Sequence, residues 1–182
     1  LPFDDDVAAR LVQHGLETVL IEYTRENFSS IEIDDEVGGR MAADYLSAKG
    51  HRRCAFVGDE KLPEYAIHTS DQRLDGYCWA LQDCGIDLPE DYVRLAPHGM
   101  EPARVLAHQL LALPEPPTAI FAASDTQAMG VLKAARERGV AVPDQLAVIG
   151  FDDVDMADYI GLTTIRQSLE ESGRIAVELL LA

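Results

Sequence analysis

Two spacings of hydrophobic residues alternate along the chain. Short apolar runs, such as 118–123 and 146–150, predict buried strands, whereas apolar residues three and four positions apart, as in 126–138, predict helices that bury one face. Gly139 ends the helix between these two strands, as glycine often does at a helix C-terminus. Strands that alternate with helices in this way are typical of βαβ units around a parallel sheet.

The same criteria extend the prediction to the rest of the chain. Helices are predicted at 6–15, 36–49, 71–84, 101–113 and 168–182, and strands at 18–21, 30–34, 53–58, 92–96 and 162–167. The predicted fold class is therefore α/β with doubly wound parallel sheets. Because the first element is a helix and the last helix is apolar to its end, we expect this sequence to be a piece of a longer polypeptide.

Composition and charge narrow the classes of function. The 182 residues include 15 Lys and Arg against 32 Asp and Glu, a net charge of −17. Affinity for nucleic acid or an anionic membrane comes largely from Lys and Arg, so this charge argues against both kinds of surface. The chain is 47% hydrophobic, with no apolar run long enough for a bilayer and no signal-peptide pattern. We therefore expect an acidic globular domain in the cytoplasm.

Cysteine and histidine spacing predicts no metal site. The three cysteines, Cys54, Cys78 and Cys84, are an odd number without a paired spacing, and the five histidines are scattered. This pattern favours reduced thiols over a disulfide framework or a structural zinc site. We expect neither a bound metal nor a cofactor.

Polar residues follow several predicted strands. Open parallel sheets bind ligands beyond the carboxyl ends of their strands. The polar residues at the predicted strand ends are Asp34, Asp35, Asp59, Ser124, Asp125, Asp152 and Asp153. Ionised carboxylates accept several hydrogen bonds, which suits a ligand rich in hydroxyl groups. The alternative is that these side chains cap the following helices, and one residue can do both.

Arg73 lies in the first turn of a predicted helix, where positive charge is unfavourable. A bidentate contact to a ligand or to a carboxylate at a strand end would compensate that charge. The alternative is a solvated surface arginine.

Standard catalytic motifs are missing from the sequence, including GxGxxG, Walker A, GxSxG and HExxH. Asp153 and Asp155 have the D-x-D spacing of magnesium-dependent phosphotransferases, so an enzyme with a carboxylate site at 152–155 is an alternative. Helix caps and turn carboxylates are the simpler explanation of that spacing.

Several segments, in order along the chain, resemble the lactose/galactose-repressor (LacI–GalR) family. They are D-D-E-V-G-G at 34–39 with Leu46 and G-H-R-R at 50–53, R-L-D-G-Y at 73–77 with A-L at 80–81, P-T-A-I-F-A-A-S-D-T-Q-A-M-G at 117–130, G-V-A-V-P-D and V-I-G-F-D-D within 139–153, and L-T-T-I-R-Q at 162–167. Each motif alone is weak, and together they are specific. The family's helix-turn-helix and the first strands of its amino-terminal lobe have no counterpart here, in keeping with the negative charge.

The resemblance implies a type I periplasmic-binding-protein-like fold, in which two lobes hold a small polar ligand. It assigns residues 1–51 to an incomplete amino-terminal lobe, 52–165 to the carboxyl-terminal lobe, and 166–182 to a return into the amino-terminal lobe. These boundaries are expectations for the structure.

The resemblance also implies a set of ligand-binding residues. They are Arg73, Ser124, Asp125 and Asp152, with Met100 in the region of a ligand-stacking aromatic residue. Ser124 departs from the asparagine common in the family, which leaves the ligand open. Gly161 replaces a common proline.

The leading hypothesis is the effector-binding part of a bacterial transcriptional regulator. It would bind a small, sugar-like molecule without catalysis and control DNA binding by a domain outside this sequence. The expected partners are the effector and a second copy of the chain in a homodimer, with no membrane contact. The apolar residues of the incomplete lobe are expected at the dimer contact: Val7, Leu11, Leu169 and Leu179. The alternatives are a periplasmic solute-binding receptor of the same fold and a magnesium-dependent hydrolase or phosphotransferase.

Overall fold

The computed structural model describes residues 4–61 and 69–181. Its helices are α1 (Asp5–Gln13), α2 (Asp35–Ala48), α3 (Thr69–Asp83), α4 (Met100–Leu110), α5 (Asp125–Glu137), α6 (Asp155–Ile160) and α7 (Leu169–Leu181). Its strands are β1 (Val19–Ile21), β2 (Ser29–Ile31), β3 (Cys54–Asp59), β4 (Val93–Ala96), β5 (Ala119–Ala122), β6 (Ala147–Asp152) and β7 (Thr163–Arg166). A short 3-10 turn, Glu90–Tyr92, precedes β4. The described residues divide into a smaller unit 1 (4–34 and 167–181) and a larger unit 2 (35–61 and 69–166).

Unit 2 is built on a five-stranded parallel sheet with the strand order β4-β3-β5-β6-β7. Alternate residues of each strand point to opposite faces. Ala55 and Val57 pack in a core with α4 and α5 on one face. On the other face, the ring of Tyr77 from α3 lies 5.2 Å from that of Phe121, which lies 5.5 Å from that of Phe56. Helices on both faces confirm the predicted doubly wound parallel sheet.

Unit 1 contains a parallel pair of strands, β1 and β2, with α7 packed against both. Asp4 caps α1 by accepting a hydrogen bond from the backbone N–H of Val7. Side chains of both helices remain exposed, among them Val7 on α1 and Leu169 and Leu179 on α7.

Helix α2 belongs to unit 2, although the sequence predicts that the amino-terminal lobe extends to residue 51. The helices α2 and α3 meet at glycines: a Cβ at Gly39 would lie 2.0 Å from the carbonyl oxygen of Arg73, and one at Gly76 would lie 1.9 Å from that of Glu36. No larger residue permits this approach. The first boundary between units therefore falls at 34/35 rather than 51/52.

The predicted elements agree with the structure to within a few residues. Two differences affect the site. Strand β6 continues to Asp152, two residues further than predicted, and α6, absent from the prediction, follows it. Gly161 ends α6 in the left-handed conformation with a φ of 67°, which explains a glycine at that position.

Candidate ligand-binding site

The carboxyl ends of β3, β5 and β6 lie at one edge of the five-stranded sheet because these strands are parallel. Asp59 ends β3, Ser124 follows β5, and Asp152 ends β6. We call these strand ends, together with the side chains that reach them, the carboxyl edge of unit 2. Helix α3 brings Arg73 to the same edge.

Arg73 is held there by three contacts. Its Nε donates a hydrogen bond to Asp35 Oδ1 at 2.7 Å, and its Nη1 donates to the carbonyl oxygen of Ala123 at 2.6 Å. The guanidinium carbon lies 3.6 Å from the ring centroid of Phe151, a cation–π contact. Only 6% of Arg73 and 4% of Asp35 is exposed. The carboxylate that the position of Arg73 requires is therefore Asp35, one of the carboxylates predicted after a strand, which the structure places at the first residue of α2.

Asp152 lies beside this cation. Its Oδ1 is 3.9 Å from Arg73 Nη1, and the side chain is about a quarter exposed, far more than that of Asp35. The backbone is unusual at this point, with φ values of 122° at Asp152 and 59° at Asp153. Residues other than glycine rarely adopt such values, which carry a conformational cost and cluster at functional sites. The structure thus brings Arg73 and Asp152 together, as the sequence predicts.

A chain of hydrogen bonds runs from Ser124 to His98. The Ser124 hydroxyl caps α5 by accepting from the backbone N–H of Gln127 at 3.1 Å, and it donates to Gln127 Oε1 at 3.2 Å. Gln127 Nε2 donates to Asp59 Oδ1 at 2.9 Å, and His98 Nδ1 lies 3.1 Å from the same oxygen. Ser124 and Gln127 are buried, whereas Asp59 is partly exposed and His98 is exposed. This chain fixes the Asp59 carboxylate at the carboxyl edge.

Sequence reasoning assigned no role to Gln127 and His98. The spacing Ser124-x-x-Gln127 is a capping-box pattern, which would have identified Gln127 from the sequence. His98 stands in the loop after β4, where no periodicity or motif singles it out.

Asp125 has a different role from the predicted one. It has no exposed surface. Its Oδ1 accepts from the Thr164 hydroxyl at 2.6 Å and its Oδ2 from the backbone N–H of Val154 at 2.9 Å. Burial raises the pKa of this carboxyl group. Asp125 therefore fixes the segment after β6 and strand β7 to α5, and the prediction that it contacts the ligand does not agree with its burial.

Met100 is the first residue of α4 and is exposed, on the carboxyl side of β4. Its carbonyl oxygen packs against α5, where a Cβ at Gly130 would lie 2.2 Å from it. Its contact with a ligand stays a prediction.

The stretch 152–155 is engaged by protein contacts. Asp153 accepts a hydrogen bond from Arg166 Nε, and Asp155 begins α6. Among residues 4–61 and 69–181, no cluster of three or more His, Cys, Asp or Glu has a geometry that could hold a metal ion. The D-x-D spacing thus reflects an ion pair and a helix start. In the same described part of the chain, no helix is both long and apolar enough to cross a membrane.

Residues 43–182 match the model of the periplasmic binding protein-like domain. The chain belongs to this family of domains, which confirms the predicted fold.

The relatives of the chain are transcriptional regulators. The HTH-type transcriptional repressor CytR of Escherichia coli (strain K12) is 36% identical over 187 residues, which cover 100% of this chain and 52% of the repressor. A regulatory protein of the LacI family from Chloroflexus aggregans has a TM-score of 0.88 at 34% identity, covering 100% of this chain and 66% of that one. A LacI family transcriptional regulator from Enterococcus faecium with bound ribose has a TM-score of 0.84 at 30% identity, covering 98% and 66%. These likenesses confirm the resemblance to the LacI family. The chain spans about half the length of the curated relatives it matches.

Proposed function

We propose that this chain binds a small, hydroxyl-rich effector at the carboxyl edge of unit 2 and thereby controls DNA binding by a domain outside these 182 residues. The observation that carries the proposal is the pairing of a buried, immobilised Arg73 with a partly exposed Asp152. A donor and an acceptor that are already in place bind a polar ligand with little ordering cost. The relatives support the regulatory part, since they are repressors, and the ribose-bound relative supports a sugar as ligand.

The chemistry of the edge suits a polyol. Arg73 has five N–H donors, of which one on Nε and one on Nη1 are engaged by Asp35 and Ala123. Its other N–H groups would donate to ligand oxygens, while Asp152 and Asp59 would accept from ligand hydroxyls in charge-assisted hydrogen bonds. The proposal involves binding without catalysis. Regulation follows if the ligand binds one conformation of the full regulator more tightly than another.

The full regulator is proposed to act in the cytoplasm as a homodimer. Exposed apolar side chains of unit 1 support a contact between copies, namely Val7, Leu169 and Leu179. A periplasmic receptor of the same fold is the rival function. The likeness to repressors favours the regulator.

A ligand screen tests the proposal. Thermal shift with pentoses, hexoses and nucleosides, ribose first, should show stabilisation by at least one, and isothermal titration should give its affinity. In ¹⁵N–¹H spectra the bound ligand should shift the amide signals of Asp59, Ser124 and Asp152. Failure of the whole panel, or shifts confined to residues away from the carboxyl edge, would contradict the proposal.

A further inference from the structure

A groove of about 670 Å³ lies in unit 2 at the amino-terminal ends of the parallel strands, opposite to the carboxyl edge. Its wall includes the amino-terminal ends of β6 and β7 and the carboxyl-terminal end of α2. Ile149 is the residue of β6 nearest to Asp152 among those that line the groove, and three strand residues span roughly 10 Å at about 3.3 Å per residue. The groove is therefore distinct from the carboxyl edge and its proposed effector.

Apolar side chains form much of the groove. Val142, Ile160 and Leu162 line it, and the first two are exposed to solvent at 39% and 42%. The volume falls within the range of about 300–1,000 Å³ that is usual for small-molecule sites. The volume and the apolar walls of the groove suit an aromatic ring of a ligand.

The charge of the groove is opposite to that of the chain. Asp and Glu make up 32 of the 182 residues, yet none is among the described residues that line the groove, where Lys49 and His51 stand instead. The Lys49 Nζ lies 5.3 Å from the ring centroid of Tyr45, another lining residue. His51 is anchored by Thr118, whose Oγ1 is 3.1 Å from its Nδ1.

Lys49 is the cation of this groove at neutral pH, because burial lowers the pKa of the His51 imidazole. An ammonium group on the wall of an apolar groove whose described lining contains no carboxylate favours an anionic ligand.

We propose that this groove is a second ligand site, for a small amphipathic anion that consists of an aromatic ring and one carboxylate. The ring lies against Val142, Ile160 and Leu162, and the carboxylate pairs with Lys49. The proposal is independent of effector binding at the carboxyl edge.

Naphthalene-2-carboxylate and its neutral analogue naphthalene-2-carboxamide test this assignment on the full 182-residue chain by ¹⁵N–¹H titration. The carboxylate should bind about fivefold more tightly than the amide, the strength of an exposed ion pair, and should shift the amide signals of Gly50, Gly161 and Thr163. Lys49→Gln should abolish the difference between the two probes, whereas Lys133→Gln, an exposed lysine on α5, should preserve it. Thr163→Trp, at an exposed position of β7 that lines the groove, should block both probes.

The opposite results would overturn the proposal. They are equal affinity for the two probes, an unchanged difference in Lys49→Gln, no binding at about 5 mM (a free energy weaker than about −3 kcal/mol), or shifts at Asp59, Ser124 and Asp152. If Thr163→Trp loses its dispersed spectrum, the exposed Lys49→Gln variant still decides.

Discussion

Asp35 and Arg73, which are 38 residues apart in sequence, form a buried ion pair with an Nε–Oδ1 distance of 2.7 Å. The pair exists because α2 and α3 cross at Gly39 and Gly76, with no side chain between their backbones. Close packing of two helices thus places the cation of the candidate site. Stability and the proposed ligand binding therefore depend on the same crossing.

Removal of Asp35 should destabilise unit 2 strongly. Asp35→Ala removes the buried carboxylate to which Arg73 donates, and the partly exposed Asp152, 3.9 Å from Nη1, does not replace that hydrogen bond. Breaking a buried pair costs about 3–5 kcal/mol. Urea denaturation followed by the fluorescence of Trp79, the single tryptophan and a residue of α3, measures the loss. The matched control is Asp83→Ala, which breaks the exposed Arg40–Asp83 pair between the same helices and should cost less than about 1 kcal/mol. Equal losses would show that Arg73 does not depend on Asp35.

Gly76→Ala should also destabilise unit 2, although alanine is favoured over glycine in a helix by about 1 kcal/mol. The added Cβ would lie 1.9 Å from the carbonyl oxygen of Glu36, so the helices must separate. Gln82→Ala, on an exposed position of the same helix, is the control and should be neutral within about 0.5 kcal/mol. The midpoint of thermal unfolding checks both variants, and a stabilised Gly76→Ala would refute the close crossing.

Asp125→Asn should flatten the dependence of stability on pH. Burial raises the pKa of Asp125 in the folded chain above its ordinary value of 3.8. The folded state then binds a proton more readily than the unfolded state, so the free energy of unfolding falls as pH rises from 3.8 through the raised pKa. The asparagine variant has no such titration, and its amide can still accept from Val154 and donate to Thr164.

Urea denaturation at a series of pH values measures this effect. Gln82→Ala, at an exposed and uncharged position of α3, should leave the profile unchanged. A profile of Asp125→Asn that is parallel to that of the parent chain would mean that Asp125 titrates normally.

Asp152 should matter for binding more than for folding. Asp152→Asn removes a charge-assisted hydrogen bond to the effector, which should cost about 1.5–3 kcal/mol of affinity. Asp152→Gly should weaken binding as much while holding or raising stability, since glycine adopts a φ of 122° without strain. Isothermal titration with the sugar found in the screen and thermal unfolding separate the two effects. Unchanged affinity in both variants would show that Asp152 shapes the turn after β6 and does not contact the effector.

Association through unit 1 is open to direct test. Sedimentation of the 182-residue chain at tens of micromolar should show a dimer, because closed two-fold pairs are the commonest assembly of identical chains. Leu179→Glu should dissociate it, because Leu179 is exposed on α7. Gln109→Glu, at an exposed polar position of α4 in unit 2, should leave it intact. A monomeric parent chain, or a dimer broken by Gln109→Glu instead, would contradict this contact.

The sequence was sufficient to predict most elements of the fold, because their apolar spacing is long enough to distinguish strand from helix. Helix α6 was not predicted, since the six residues Asp155–Ile160 are too few to show a period. The extension of β6 to Asp152 was not predicted either, because it ends in the positive φ that L residues rarely adopt.

The site was predicted in part. Position at a strand end correctly placed Asp152 at the carboxyl edge, because parallel strands share an edge. Arg73, on helix α3, was predicted beside it from its unfavourable place in a first helical turn and from the family resemblance. Position at a strand end failed for Asp125, because position along the chain does not determine whether a side chain faces solvent or the protein. The Asp35–Arg73 pair depends on the crossing of two helices, and periodicity carries no information about which helices meet.

The three restraints on Arg73 have a consequence for redesign of ligand preference. A change at Asp35, Arg73 or Phe151 disturbs folding along with recognition, since these side chains support one another in the interior. His98 is exposed, and its side chain contacts the Asp59 carboxylate. Substitutions at this position would therefore change the groups available to a ligand at the carboxyl edge at little cost to the fold. A library aimed at new effectors should therefore vary position 98 and keep positions 35, 73 and 151 constant.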